Sequence, residues 1–266
     1  MKSNITFSAG LLCATLGWTN PAAALLFDQD ITPDVIFGSG NANGGWTVDR
    51  NNSVELGLRG KVRFDLATGA PENTFNSDGA GGYTFDAGVP AGQAFNTGTW
   101  SIEWSVNTDF QNSGGLVLDD LTYVFGVDSD PGLGTSFVEG DLINVLFADH
   151  ATGDSTTANG GGTVAANAVQ YAAQIASDSV AQNSWQADFV LGGGFDPNLD
   201  ATYDFYLAAF DGNGARLART EARIVVGNGA SVPAPGSLAL LVAGLLVLRR
   251  RARVAVSRRG LAAGTR

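Results

Sequence analysis

Alternation of apolar and polar residues with a period of two is the dominant signal along the chain. Val54, Leu56, Leu58, Val62 and Phe64 take alternate positions, with Gly60 in the series, while Glu55, Arg59, Lys61 and Arg63 take the others. Trp100, Ile102, Trp104 and Val106 repeat the pattern against Ser101, Glu103, Ser105 and Asn107. Leu121, Tyr123, Phe125 and Val127 make a third run, and further strands are expected to begin near Ile143, Trp185 and Tyr203. Side chains alternate across a strand, so each run predicts one packed face and one wet face. Asp211-Gly212-Asn213-Gly214 parts Tyr203–Phe210 from Ala215–Val226, and such residues tolerate positive φ, so this predicts a hairpin. Between Val164 and Ser177 the period changes. Val164, Ala165, Ala168, Val169, Ala172 and Ile175 recur at helical spacing, with Thr163 as the expected N-cap. Strands at this spacing with one short helix predict a mainly β fold, an antiparallel two-sheet sandwich of jelly-roll type.

Both ends of the chain depart from this pattern. Lys2 precedes an apolar run from Ile5 to Trp18 and then Pro21-Ala22-Ala23-Ala24, the order of a secretory signal peptide cut after Ala24. At the other end, Val232-Pro233-Ala234-Pro235-Gly236 leads into Leu238–Leu248, which carries no charge, and then Arg249, Arg250, Arg251 and Arg253. As a helix, residues 238–248 span roughly 16 Å, and the stretch from Val232 roughly 25 Å, against a hydrocarbon core of about 30 Å. Arg side chains snorkelling to the headgroups cover part of the shortfall. Seven of the fifteen basic residues follow Leu248 and no acidic residue does, which fits a cytoplasmic stub.

The Pro motif, short apolar helix and Arg cluster resemble the PEP-CTERM sorting signal, the tag that exosortases of Gram-negative, exopolysaccharide-making bacteria act upon. Ala234 stands where that family usually has Glu, and the chain runs on to Arg266, past the usual stub. The resemblance implies a transient stay in the inner membrane and cleavage near Pro233–Pro235 by a membrane-embedded cysteine transpeptidase. Release to the cell surface or matrix would follow. The segments Ala181–Trp185 and Asp204–Asp211 are also similar to the exported domains of PEP-CTERM proteins, a likeness that brings no activity with it. The expected organisation is a signal peptide over 1–24, an exported domain over 25–228, a linker over 229–231, a sorting signal over 232–253 and a basic tail over 254–266.

Composition narrows the domain's chemistry. Residues 25–232 hold seven basic against 26 acidic residues, a net charge of −19, with no basic residue from Asp65 to Ala215. Such a surface repels nucleic acid and anionic headgroups. The single Cys, Cys13, lies in the signal peptide, so the exported domain has neither disulfides nor thiol chemistry. Asp outnumbers Glu 21 to 5, and Asp serves both as a turn former and as a calcium ligand.

Four features carry candidate chemistry. Asp128, Asp130 and Glu139 stand at first, third and twelfth places like an EF-hand loop, but Leu133 occupies the sixth place, where Gly is needed. Calcium is the one cofactor this spacing suggests, and a strand-ending Asp-Pro-Gly turn explains the same residues without metal. His150, the lone His, reads as a solvated or hydrogen-bonding loop residue rather than a ligand or base. The pair Asp119-Asp120 would point to opposite faces of a strand, which weakens a glycosidase reading. Trp100 and Trp104, some 13 Å apart along one strand face, read as core before they read as a sugar platform. The expectation is therefore a non-enzymatic surface or matrix protein, with exosortase and extracellular polysaccharide as partners. The alternatives are a carbohydrate-binding module, with or without calcium, and a secreted hydrolase.

Overall fold

A computed structural model describes residues 24–231. The expected signal peptide up to Ala23, Val232–Gly236, the apolar segment and Arg249, Arg250, Arg251 and Arg253 lie outside the described residues, as does the expected membrane-spanning sorting helix. Among the described residues, no helix is long and apolar enough to cross a membrane.

The fold is mainly β. Its strands are β1 (Leu26–Gln29), β2 (Trp46–Asn51), β3 (Val54–Val62), β4 (Gly82–Phe85), β5 (Trp100–Asn107), β6 (Thr122–Asp128), β7 (Phe137–Gly140), β8 (Ala151–Gly153), β9 (Thr163–Val164), β10 (Val180–Gln186), β11 (Ala201–Phe210) and β12 (Arg216–Val226). One sheet has seven strands in the order β1-β2-β3-β5-β10-β8-β9, and every neighbouring pair is antiparallel. The other has five, β4-β12-β11-β6-β7, and departs from the antiparallel expectation because β4 runs parallel to β12. The alternating apolar positions point between the sheets. Val54, Leu56, Leu58, Trp100, Ile102 and Trp104 from one meet Tyr83, Phe85, Phe125, Phe205, Leu207 and Ile224 from the other in one buried core. Gly60 faces that core, and a Cβ there would stand 2.8 Å from Ile224 and Phe85, so the close approach of the sheets requires a glycine. The hairpin at Asp211–Gly214 is present. The Asp211 carboxylate accepts from the N–H groups of Asn213 and Ala215, and Gly214 takes φ +77°.

Several local expectations are corrected. The helix is α1 (Ala168–Ile175), capped by Asn167, whose side chain accepts from the N–H groups of Val169 and Gln170. Thr163 and Val164 do not start it. Both belong to β9, paired with Ala151 and Thr152, where β-branched side chains fit better than in a helix's first turn. A second helix, α2 (Ala187–Leu191), follows β10, and 3₁₀ turns occupy Leu118–Asp120 and Gly192–Gly194. No strand begins at Ile143. Asp141 holds the N–H groups of Ile143 and Asn144 and so curls that segment into a loop. Trp185 is the penultimate residue of β10, which starts at Val180, rather than the start of a strand.

The largest correction concerns the face expected to be wet. Glu55, Arg59, Ser101, Glu103, Ser105 and Asn107 are fully buried, and Lys61 nearly so. Residues 30–45 cross this face without regular structure, and their backbone is satisfied by the sheet's polar side chains. Thr32 N–H donates to Glu55 (2.6 Å), Asn107 donates to Thr32 O (2.6 Å) and Ile36 N–H donates to Gln182 (2.8 Å). Arg59 donates to Ala42 O (3.0 Å) and Gly44 O (2.6 Å), and Lys61 to Asn41 (2.8 Å). An irregular segment can be buried only if its backbone groups find such partners. Arg59 lies opposite Glu103 across β3 and β5, pairs with it at 2.6 Å, and sits between the rings of Trp46 (4.2 Å) and Phe75 (4.0 Å).

Candidate functional site

Because one face of the seven-stranded sheet is core and the other is covered, the outer face of the five-stranded sheet is where side chains meet solvent in an organised row. Alternation on β11 and β12 sends Ala218, Ala222, Ile224, Phe205 and Leu207 inward and Arg219, Glu221, Arg223, Asp204 and Tyr206 outward. Register sets Asp204 opposite Arg223 and Tyr206 opposite Glu221. Arg223 grips Asp204 through two parallel bonds, of 2.7 and 2.9 Å. That fork raises the already high pKa of the guanidinium.

Tyr206 is shaped by a glycine. It pairs with Gly126 of β6, where a Cβ would collide with its ring, so the ring lies across the neighbouring strand. The hydroxyl thereby reaches Glu139 of β7 and donates to its carboxylate. Arg219 stacks on the ring at 4.0 Å, Phe137 meets it edge-on at 5.1 Å, and Glu221 lies 3.7 Å from Arg219. Burial and the Glu139 carboxylate push the Tyr206 hydroxyl pKa up, so it stays a donor. Phe137 on one bank and Phe27 of β1 with Asp78, Ala80, Gly81 and Gly82 on the other close a trough of about 480 Å³ over this floor. Volumes of 300–1,000 Å³ are usual for ligand sites.

The sequence-predicted residues fall as follows. Asp128 is buried and accepts from the N–H groups of Asp130 (3.0 Å) and Ser136 (2.7 Å), and Asp130 accepts from Gly132 N–H (2.8 Å). Both therefore tie the turn between β6 and β7, while Glu139 serves Tyr206. Among the described residues, no three His, Cys, Asp or Glu side chains form a group that could hold a metal ion. His150 is buried, not solvated. Its Nε2 lies 2.7 Å from Leu142 O and its Nδ1 3.2 Å from the Asn183 amide, which together set Nε2–H as donor and Nδ1 as acceptor. Its ring meets Trp104 edge-on at 4.6 Å, and burial lowers its pKa. Asp119 and Asp120 lie in the 3₁₀ turn rather than on a strand, with Asp120 accepting from Val117 N–H. Trp100 and Trp104 are both buried, so neither can act as an exposed sugar platform.

Several of the remaining Asp residues are turn ties. Asp109 accepts from the N–H groups of Ser113, Gly114 and Gly115, Asp154 from Thr156, Asp65 from Thr68 and Asp78 from Ala80 and Gly82. Much of the excess of Asp over Glu thus goes into loop geometry. Sequence reasoning passed over Tyr206, Arg219, Arg223 and Phe137 as site residues. The signal was present in Arg219-Thr220-Glu221-Ala222-Arg223, an outward Arg/Glu/Arg row in a domain with seven basic residues. No family model, curated protein or solved structure matches the chain.

Proposed function

We propose that the chain is an exported, non-enzymatic protein of the cell surface or exopolysaccharide matrix of a Gram-negative bacterium. Its body is a jelly-roll-like sandwich. A signal peptide takes it out, Leu238–Leu248 holds it for a time in the inner membrane, and an exosortase-type transpeptidase cuts near Pro233–Pro235. The observation that carries this reading is where the described strands lie. The first strand starts at Leu26, two residues past Ala24, and the last ends at Val226, six residues before Val232. Cuts after Ala24 and near Val232 therefore divide no strand among the described residues. The side chains of the domain are also largely engaged with one another, as expected of a scaffold.

The exact mass of the native protein, taken from culture medium and from membranes, tests this. A mature form running from Leu25 to near Val232, found outside the membrane, is the expected result. A membrane-bound form still ending at Arg266 would replace sorting with simple tail anchoring.

A further inference from the structure

The outer trough of the five-stranded sheet has the chemistry of a ligand site, and the matrix reading says what surrounds it. Resting on that reading, we propose that the trough binds a neutral polysaccharide, gripped by Arg219, Arg223, Glu221 and Asp204 and flanked by Phe27 and Phe137.

Three observations select this ligand. First, the polar groups are immobilised before any ligand arrives. Arg223 is forked onto Asp204, and Arg219 is laid flat on Tyr206, whose hydroxyl is in turn held by Glu139. Pre-ordered side chains cost little further entropy on binding. Arg223 nonetheless remains 61% exposed and Glu221 62% exposed, so both keep unused donor and acceptor positions. A sugar hydroxyl both donates and accepts, so it can meet guanidinium and carboxylate in alternation as no simple ion can.

Second, the charge excludes a polyanion. The lining sets Arg219 and Arg223 against Asp78, Asp204 and Glu221, with Glu139 on the Tyr206 hydroxyl, which leaves the trough net negative within a domain of net charge −19. A uronate chain would be repelled and a neutral one would not. Third, the shape asks for a chain rather than a single sugar. Arg219 and Arg223 are four residues apart on one strand, about 13 Å. The exposed rings of Phe27 and Phe137 stand on opposite banks and offer faces or edges to the C–H surfaces of pyranose rings. No Trp lines the trough, so its occupation would leave Trp fluorescence nearly unchanged.

The test applies labelled native protein to an array of neutral and uronate-containing oligosaccharides. Calorimetry with the best-bound neutral hexasaccharide then follows. The expected result is preference for a neutral chain, at least a tenfold loss of affinity in Arg219→Ala and in Phe137→Ala, and an unchanged urea midpoint. Arg223→Lys, which keeps the charge and loses the fork, should weaken binding as well, and this variant decides the matter if another fails to fold. Arg216→Ala, exposed on the same strand but outside the trough, should bind as the parent does. The proposal is overturned if no neutral oligosaccharide binds, if uronates are preferred, or if the folded trough variants bind like the parent. Failure of the sorting reading would show instead in mass and fractionation, and would leave the array result unaffected.

Discussion

Arg59→Met should be among the most damaging single changes in the domain. The substitution keeps most of the aliphatic stem and removes the guanidinium. Glu103 is then left fully buried with Lys61, at 3.6 Å, as its remaining cationic partner. The carbonyls of Ala42 and Gly44 lose their donor, and Trp46 and Phe75 lose the cation between them. Breaking a buried pair by removing one partner costs about 3–5 kcal/mol. Each orphaned carbonyl adds about 1–3 kcal/mol, although losses that share one group do not sum. Retention of Lys61 offsets part of the charge term, so the net expectation is about 4 kcal/mol, a large share of the roughly 5–15 kcal/mol that holds a domain folded. At about 2 kcal/mol per molar urea, the midpoint should fall by about 2 M. Urea unfolding of the protein followed by Trp fluorescence measures this. Hydrogen exchange at Gly44 and Gly45 should quicken at the same time, because Arg59 holds that part of the cover down. Arg59→Met with Glu103→Met should regain at least half the loss, since the lone charge is gone. A single-variant cost under about 1 kcal/mol, or a double variant no more stable than the single, would refute the reasoning.

The other predictions use the same geometry. The lone imidazole should titrate by NMR below the ordinary 6.5, because burial disfavours its charged form. The unfolded chain then binds the proton first, so stability falls as pH drops from about 6.5 towards the folded pKa, and a His150 titration at or above 6.5 would contradict this. Gly60→Ala should overpack the core against Ile224 and Phe85 and cost about 2 kcal/mol, a fall of roughly 4–8 °C in Tm; an unchanged Tm would mean that the sheets yield. Burial raises the Asp109 pKa, but the N–H groups of Ser113, Gly115 and Gly114 outweigh it and hold the carboxyl below its usual range. Its contribution is therefore present above about pH 4 and lost as pH falls through the folded value. Asp109→Asn should accordingly lose less stability than the parent between about pH 5 and pH 2, and parallel urea midpoints in the two proteins would count against the turn-tie role.

The strands that were legible from sequence share a physical cause. β3, β5, β6, β11 and β12 each face the common core on alternate residues, so their pattern survives whatever the other face does. What lay on the other face was not legible, because a charge reads the same whether it meets water or an opposite charge. Arg59 and Lys61 meet Glu103 across strands 44 and 42 residues apart in the chain, and residues 30–45, which cover them, carry no period at all. The same limit hid the trough. Phe27, Gly126, Glu139, Tyr206 and Arg219 come from five strands and form no local motif. Conversely, the one motif-like string, Asp128 to Glu139, divides in the structure between a turn and the Tyr206 hydroxyl. In an acidic domain the count of carboxylates is therefore a poor guide to ligands. Many of them hold loops, and the informative residues are the scarce cations left at the surface. Of the seven in residues 25–232, four lie on β2, on β3 or just past it, and three lie on β12, two of them lining the trough. Cations so few and so placed mark the face on which a partner is best sought.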